Sequence, residues 1–187
     1  MVVYAKHLIL LLIVLCLGAG CSKGNAVKLS YALAGVSAPC SGEIVVFKFE
    51  DKRKISNLGT DNGGIAITTM SDVADWVGWS LFDELKAAGC ETKYRTSTVT
   101  PGGAALVTGE VLAVELNQTG TTTYAGKVAV RIMVQKGGQT VHVEKYVSEV
   151  EDIVVPGYSS KSEILAEALR GVLNEAVPSI LAFSSRQ

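Results

Sequence analysis

The sequence predicts an α+β domain, a mostly antiparallel sheet with two amphipathic helices packed on one face. Three observations lead there. Residues 71–88 and 160–182 each repeat apolar side chains at helical spacing. Between them, three runs alternate apolar and polar residues as half-buried strands do. Those runs are joined by short Thr- and Gly-rich turns, which suit an antiparallel meander and leave no room for crossover helices.

Taken in order, residues 1–20 have the layout of an export signal. Lys6 and His7 precede an unbroken apolar run, Leu8–Leu17, and Gly18-Ala19-Gly20 supplies small residues before Cys21. The run of ten apolar residues is about half of what a helix needs to cross a bilayer. LGAG followed by Cys21 resembles the lipobox of bacterial lipoproteins, with Gly18 where leucine is usual. Cys21 is therefore the expected lipidation site, carrying acyl chains such as palmitate, and two chains already suffice for stable attachment. Ser22 after the cysteine resembles outer-membrane sorting, so the expected location is the outer membrane, facing the periplasm. Residues 21–30 read as the lipidated N-terminus and tether, and 31–187 as one domain.

Glu43–Glu50 is the first strand, with Val45, Phe47 and Phe49 on one face and Ile44 and Val46 on the other. The glycine-rich GTDNGG at Gly59–Gly64 lacks the endings and spacing of phosphate-binding loops and reads as a surface turn. The first helix has Ser71 as N-cap and Gly89 as its stop, and Val73, Ala74, Val77, Leu81, Leu85 and Ala88 form its apolar stripe. Trp76 and Trp79 fall on the opposite side, among Asp75, Asp83 and Lys86. They mark either a partner surface or ground covered by residues 31–41.

Thr92–Ser97 is a short strand. Ala104–Asn117, Tyr124–Lys136 and Gln139–Val150 are the meander, with Gly137-Gly138 as its second turn. Val128, Val130, Ile132 and Val134 share one face, while Lys127, Arg131 and Gln135 face water; Val141, Val143 and Val147 carry the alternation of the last strand. Ser160-x-x-Glu163 is a capping box opening the second helix, in which Pro178 predicts a kink or an early end.

Cys16 leaves with the signal and Cys21 takes lipid, which leaves Cys40 and Cys90 in an oxidising compartment. Cys40 precedes the first strand and Cys90 follows the returning helix, so both sit at one end of the domain. A disulfide there would close about 50 residues and contribute about 4 kcal/mol in the chain-entropy model.

The strand ending in Asp51-x-Arg53, the Leu58-Gly59 that follows, the helix ending in Leu85–Gly89, the Gly137-Gly138 turn with Lys145-Tyr146, and the closing LAEALRGVLNEAV come in an order that resembles the YajG family of bacterial lipoproteins. The resemblance covers most of the mature domain. It implies an envelope location and this fold, with no chemistry attached; the Cys40/Cys90 pair and the two tryptophans are not associated with it.

Loss of Lys6 with the signal leaves 16 basic against 18 acidic residues, a balance that argues against nucleic acid. The mature chain holds one histidine, His142, too little for a metal site or a catalytic triad. Asp51 and Arg53, one residue apart, point the same way and can pair with a ligand or, the favoured reading, with each other in an ion pair that fixes their loop. No catalytic residue, cofactor or metal is expected. Two non-catalytic classes remain. One is a structural or interaction lipoprotein, anchored through its lipid and presenting its sheet or Trp76/Trp79 to an envelope partner. The other is an accessory lipoprotein of an ABC-type or lipid transport system, which requires a continuous apolar cleft between helices and sheet. Cys21→Ser is expected to release a folded protein into the soluble periplasmic fraction; retention in the membrane fraction would refute the lipid anchor.

Overall fold

A computed structural model describes residues 25–35, 40, 42–97 and 102–185. The export signal and Cys21 lie outside them. The main sheet is built on three long strands, β7 (Ala105–Gln118), β8 (Thr123–Lys136) and β9 (Gln139–Ile153), antiparallel throughout. Strand β2 (Glu43–Phe47) runs parallel to β7 on one side and to β6 (Glu91–Arg95) on the other. The strand order is β6-β2-β7-β8-β9, with the short β3 (Glu50–Asp51) also beside β7. The sheet is thus mixed: an antiparallel meander with a parallel flank. Parallel neighbours need a crossover, and α1 (Val73–Ala87) supplies it between β2 and β6.

Helix α1 and helix α2 (Lys161–Ser184) pack on the same face of this sheet. Leu81 and Leu85 of α1 and Leu165, Leu169, Leu173 and Ile180 of α2 are fully buried against Val107, Val111, Val128, Val130, Ile132 and Val134. The helix caps differ in one detail from expectation. Asp72, not Ser71, is the N-cap of α1, its carboxylate accepting from Asp75 N at 2.9 Å. The Ser160/Glu163 capping box of α2 is present. Gly89 follows α1 with φ +90°, a conformation that only glycine adopts cheaply. Helix α2 continues through Pro178 to Ser184, because Val177, Ile180 and Leu181 keep that last stretch buried on the sheet.

Three expectations are corrected. Alternation breaks after Phe47, so Phe49 turns to the helix side and is 2% exposed, joining Ile44 and Val46 rather than Val45. In β9 it is His142 and Tyr146 that face the helices, opposite Val134 and Val130, while Val141, Val143 and Val147 are on the outer face. Their pattern obeys the strand period but says nothing of which face is covered.

The third correction concerns residues before and after the first strand. Gly59–Gly64 holds the expected surface turn, but its first two residues are a strand. It forms a hairpin between β4 (Gly59–Thr60) and β5 (Ala66–Thr69), with Asp61 Oδ1 accepting from Gly63 N and Ile65 N. Strand β1 (Ala26–Val27) pairs with β5, giving a second small sheet of order β1-β5-β4. Val27 and Leu29 are buried, so the packed body begins inside the stretch expected to be tether.

A tight spot in the core is where the Phe49 ring crosses Gly109 of β7, so that a Cβ added at this glycine would come within 2.3 Å of Phe49 Cε2. Gly109→Ala is expected to lower stability by about 1–3 kcal/mol through overpacking, read from the denaturant midpoint. An unchanged midpoint would show that Phe49 can move aside.

Candidate functional site

Residues 28–35 form a strap across the helices, held by the buried Leu29, by Tyr31 packed on the core, and by a series of polar contacts. Leu29 N donates to Ser71 Oγ at 3.0 Å and Ser30 N to Ser162 Oγ at 3.1 Å, so the strap touches the start of both helices. The Trp76 indole donates to the Ser30 carbonyl at 3.0 Å and the residue is 8% exposed. About two turns further along α1, Glu84 is fully buried and its Oε1 accepts from the Tyr31 hydroxyl, at 2.7 Å, and from Ala34 N. Burial, and then the Glu84 carboxylate, push the Tyr31 hydroxyl well above its ordinary pKa. Trp76 is covered, but its hydrogen bond goes to Ser30, just before the 31–41 stretch expected to lie across the tryptophans. Trp79 stays 47% exposed, and the structure does not bring the two together as one surface.

Trp79 belongs to a different cluster. It stacks on Tyr94 of β6, ring centroids 4.1 Å apart and planes 17° from parallel, and meets Phe82 edge-on at 5.3 Å. Tyr94 can lie over α1 because Gly78 has no side chain; a Cβ there would fall 2.8 Å from the tyrosine oxygen. Burial and the nearby Asp75 push the Tyr94 hydroxyl up to about 12. Lys48 bridges Asp75 at 3.2 Å and Asp72 at 3.6 Å along the rim. Strand β6 pairs only with β2 among the described residues, so this aromatic patch lies at a sheet edge. An amphipathic aromatic surface with a charged rim has the composition of a contact hot spot. Tyr94 and Phe82 went unread in the sequence because they meet Trp79 only once β6 has docked beside α1.

Cys40 and Cys90 are bonded, with an S–S distance of 2.05 Å and Cα atoms 5.0 Å apart. The bond closes the same end where Cys40 N donates to Ala88 O. His142 is partly buried on β9. Its side chain is 11% exposed, its ring stacks on Phe183 at 4.2 Å, and its Nε2 lies 3.0 Å from the Tyr146 hydroxyl, which donates to Glu144. Burial leads in raising the Tyr146 hydroxyl to about 12. This network ties β9 to α2 and offers no nucleophile paired to a base. Among the described residues no group of three or more metal-ligating side chains occurs.

Asp51 and Arg53 do form the expected pair. Asp51 accepts from Arg53 Nε at 3.0 Å and from Nη2 at 2.9 Å, a two-pronged contact that also takes the Arg53 amide at 3.1 Å. The bond from Arg53 holds the Asp51 carboxyl below its ordinary pKa of 3.8, more than burial raises it.

No family model matches the chain, and no curated protein matches it. Solved structures share its fold. A DUF330-family protein from Xanthomonas campestris is 12% identical, superposes with a TM-score of 0.62, and aligns over 84% of this chain and 95% of its own. An uncharacterised protein is 10% identical with a TM-score of 0.56, covering 84% and 99%. A lipoprotein from Neisseria meningitidis is 12% identical over 74% of this chain and 99% of its own, with a TM-score of 0.42, an overlap too low to bear on this chain. At these identities the first two likenesses establish the fold and nothing further.

Because the Asp51 carboxyl is lowered in the folded state, its pairing stabilises fully above the unfolded value and is lost as pH falls through the folded one. The stability difference between the wild type and Asp51→Asn is expected to be constant at neutral pH and to shrink as pH drops below 3.8. A difference that persists unchanged into strong acid would show that the pair contributes nothing.

Proposed function

We propose that this protein is a non-catalytic lipoprotein of the bacterial cell envelope, anchored through Cys21 at the outer membrane and presenting the Trp79–Tyr94–Phe82 patch to an envelope protein. The export signal ending at Cys21 supports the anchor, and the Cys40–Cys90 disulfide suits an oxidising compartment. Among the described residues no helix is long and apolar enough to cross a membrane, so attachment would rest on the lipid. The YajG-like order of elements fits the same reading.

The observation that carries the interaction role is Trp79, half in water within a cluster of three aromatic rings. A structural tryptophan is normally covered, as Trp76 is by the strap. The transport alternative calls for an apolar groove between helices and sheet. That layer is filled instead: Leu81, Leu85, Leu165, Leu169 and Leu173 are each 0% exposed. The filled layer favours the interaction reading.

The test is in-cell photocrosslinking from position 79, with Tyr158, which is 90% exposed on a distant loop, as the control position. A discrete adduct from 79 that is missing from 158 supports the proposal; matching patterns, or none, refute it. Trp79→Ala is expected to change stability by no more than about 0.5–1 kcal/mol, whereas Trp76→Ala should cost about 3–5 kcal/mol. Thermal melts of both variants check that difference. If stability fell as far in Trp79→Ala as in Trp76→Ala, the exposed ring would be structural.

A further inference from the structure

Strand β7 is flanked unevenly. On its β2 side, residues 105–107 pair with β2, Glu110 and Val111 pair with β3, and Leu116 N donates to Leu58 O at 2.6 Å. Between Val111 and Leu116 no described strand lies beside it, and a register shift between Val111 and Ala113 bends the chain there. Bulges recur where a strand must re-aim side chains beside a site. Here the loop after β3 arches over the gap and encloses a cleft of about 450 Å³. Ile55 and Leu112 give it apolar walls, over the buried Leu58 and Val114, and Lys52, Arg53, Lys54 and Glu115 are among its polar lining residues. The size is within the range of small-ligand sites, about 300–1,000 Å³.

The Arg53 side chain is only 8% exposed. Asp51 takes the Nε/Nη2 edge of the guanidinium, which leaves Nη1, and that nitrogen has no hydrogen-bond partner among the described residues. A buried cationic donor without a partner is costly and uncommon, and it marks a place where an acceptor belongs. We propose that the cleft binds a single-chain amphiphile whose carboxylate pairs with Arg53 Nη1 while its hydrocarbon lies along Ile55 and Leu112. A monoanion fits better than a dianionic phosphate. Only one guanidinium nitrogen lacks a partner, Asp51 and Glu115 oppose a second negative charge, Lys52 is taken by Glu50, and Lys54 serves either anion. The bidentate Asp51 contact orients the guanidinium and leaves its remaining nitrogen for the ligand. This site is separate from the Trp79 patch and does not depend on what binds there.

The experiment uses the full chain in phosphatidylcholine vesicles and a photoactivatable fatty acid, with the alcohol and the phosphate monoester of the same chain as comparisons. Saturable labelling by the fatty acid is expected, mapped to peptides containing Ile55, Leu58 or Leu112. Arg53→Gln is expected to reduce it about tenfold, the loss of one charge-assisted hydrogen bond. Leu112→Gln, which leaves the Asp51–Arg53 pair in place, should reduce it comparably and guards against misfolding of the arginine variant. Trp79→Ala should leave it unchanged, which separates this site from the partner surface. Equal labelling by the alcohol, or full labelling in Arg53→Gln or Leu112→Gln, would overturn the proposal. Stronger labelling by the phosphate ester would overturn the choice of a carboxylate.

Discussion

The constraint on which the rest of this structure depends is the pairing of β7. It is a fourteen-residue strand in the middle of the sheet, and both of its edges must find partners. One edge is met by β8 along nearly its whole length. The other is met in pieces, by β2, β3 and the backbone at Leu58. Each piece has a consequence. Parallel pairing of β2 requires the crossover through α1, and with it the approach of Cys40 to Cys90. The break between β2 and β3 turns Phe49 inward onto Gly109. The break after β3 opens the cleft beside Arg53.

A second organising feature is the strap of residues 28–35. Beside the buried Leu29 it makes polar contacts, and two of them end on groups that would otherwise be buried without partners, the Trp76 indole and Glu84 Oε1. Glu84 Oε2 has no partner among the described residues. A buried carboxylate of this kind is a weak source of net stability, yet losing its donors would strand a charge in the core. The strap is therefore held by the penalty of leaving as much as by the gain of staying. It also fixes the spacing of the two helices, since Ser30 reaches Ser162 on α2 while Trp76 and Glu84 are on α1.

Much of the architecture was legible because it rests on local periodicity and capping chemistry. The stripe Val77, Leu81, Leu85, the alternation Val128 to Val134 and the Ser160/Glu163 box each declare their element without knowledge of the rest. The Cys40–Cys90 pairing followed from the up-and-down path of β2 and α1. What escaped depends on contacts between distant residues. Two-residue strands such as β1 and β4 have no period to detect, so the small sheet was invisible. Valine alternation in β9 marked a strand but not its covered face, because the core there is completed by His142 and Tyr146, residues of mixed character. Trp76 and Trp79 share a helix side in projection, and only the strap decides that one is hidden. The cleft needed a bulge, and no residue pattern in Val111–Ala113 announces one.

The early start of the packed body alters how far this protein can range. If Cys21 carries the anchor, Ala26, the first residue of β1, comes only five positions after it. Even fully extended, such a leash spans about 17 Å. That is roughly a Debye length or two, short enough that the near side of the domain stays within the ionic atmosphere of the headgroups. The domain is then better pictured as moored flush to the bilayer than as a float on a long line. A domain anchored in that way would meet only what comes to the lipid surface, and the face nearest to β1 would set its orientation there.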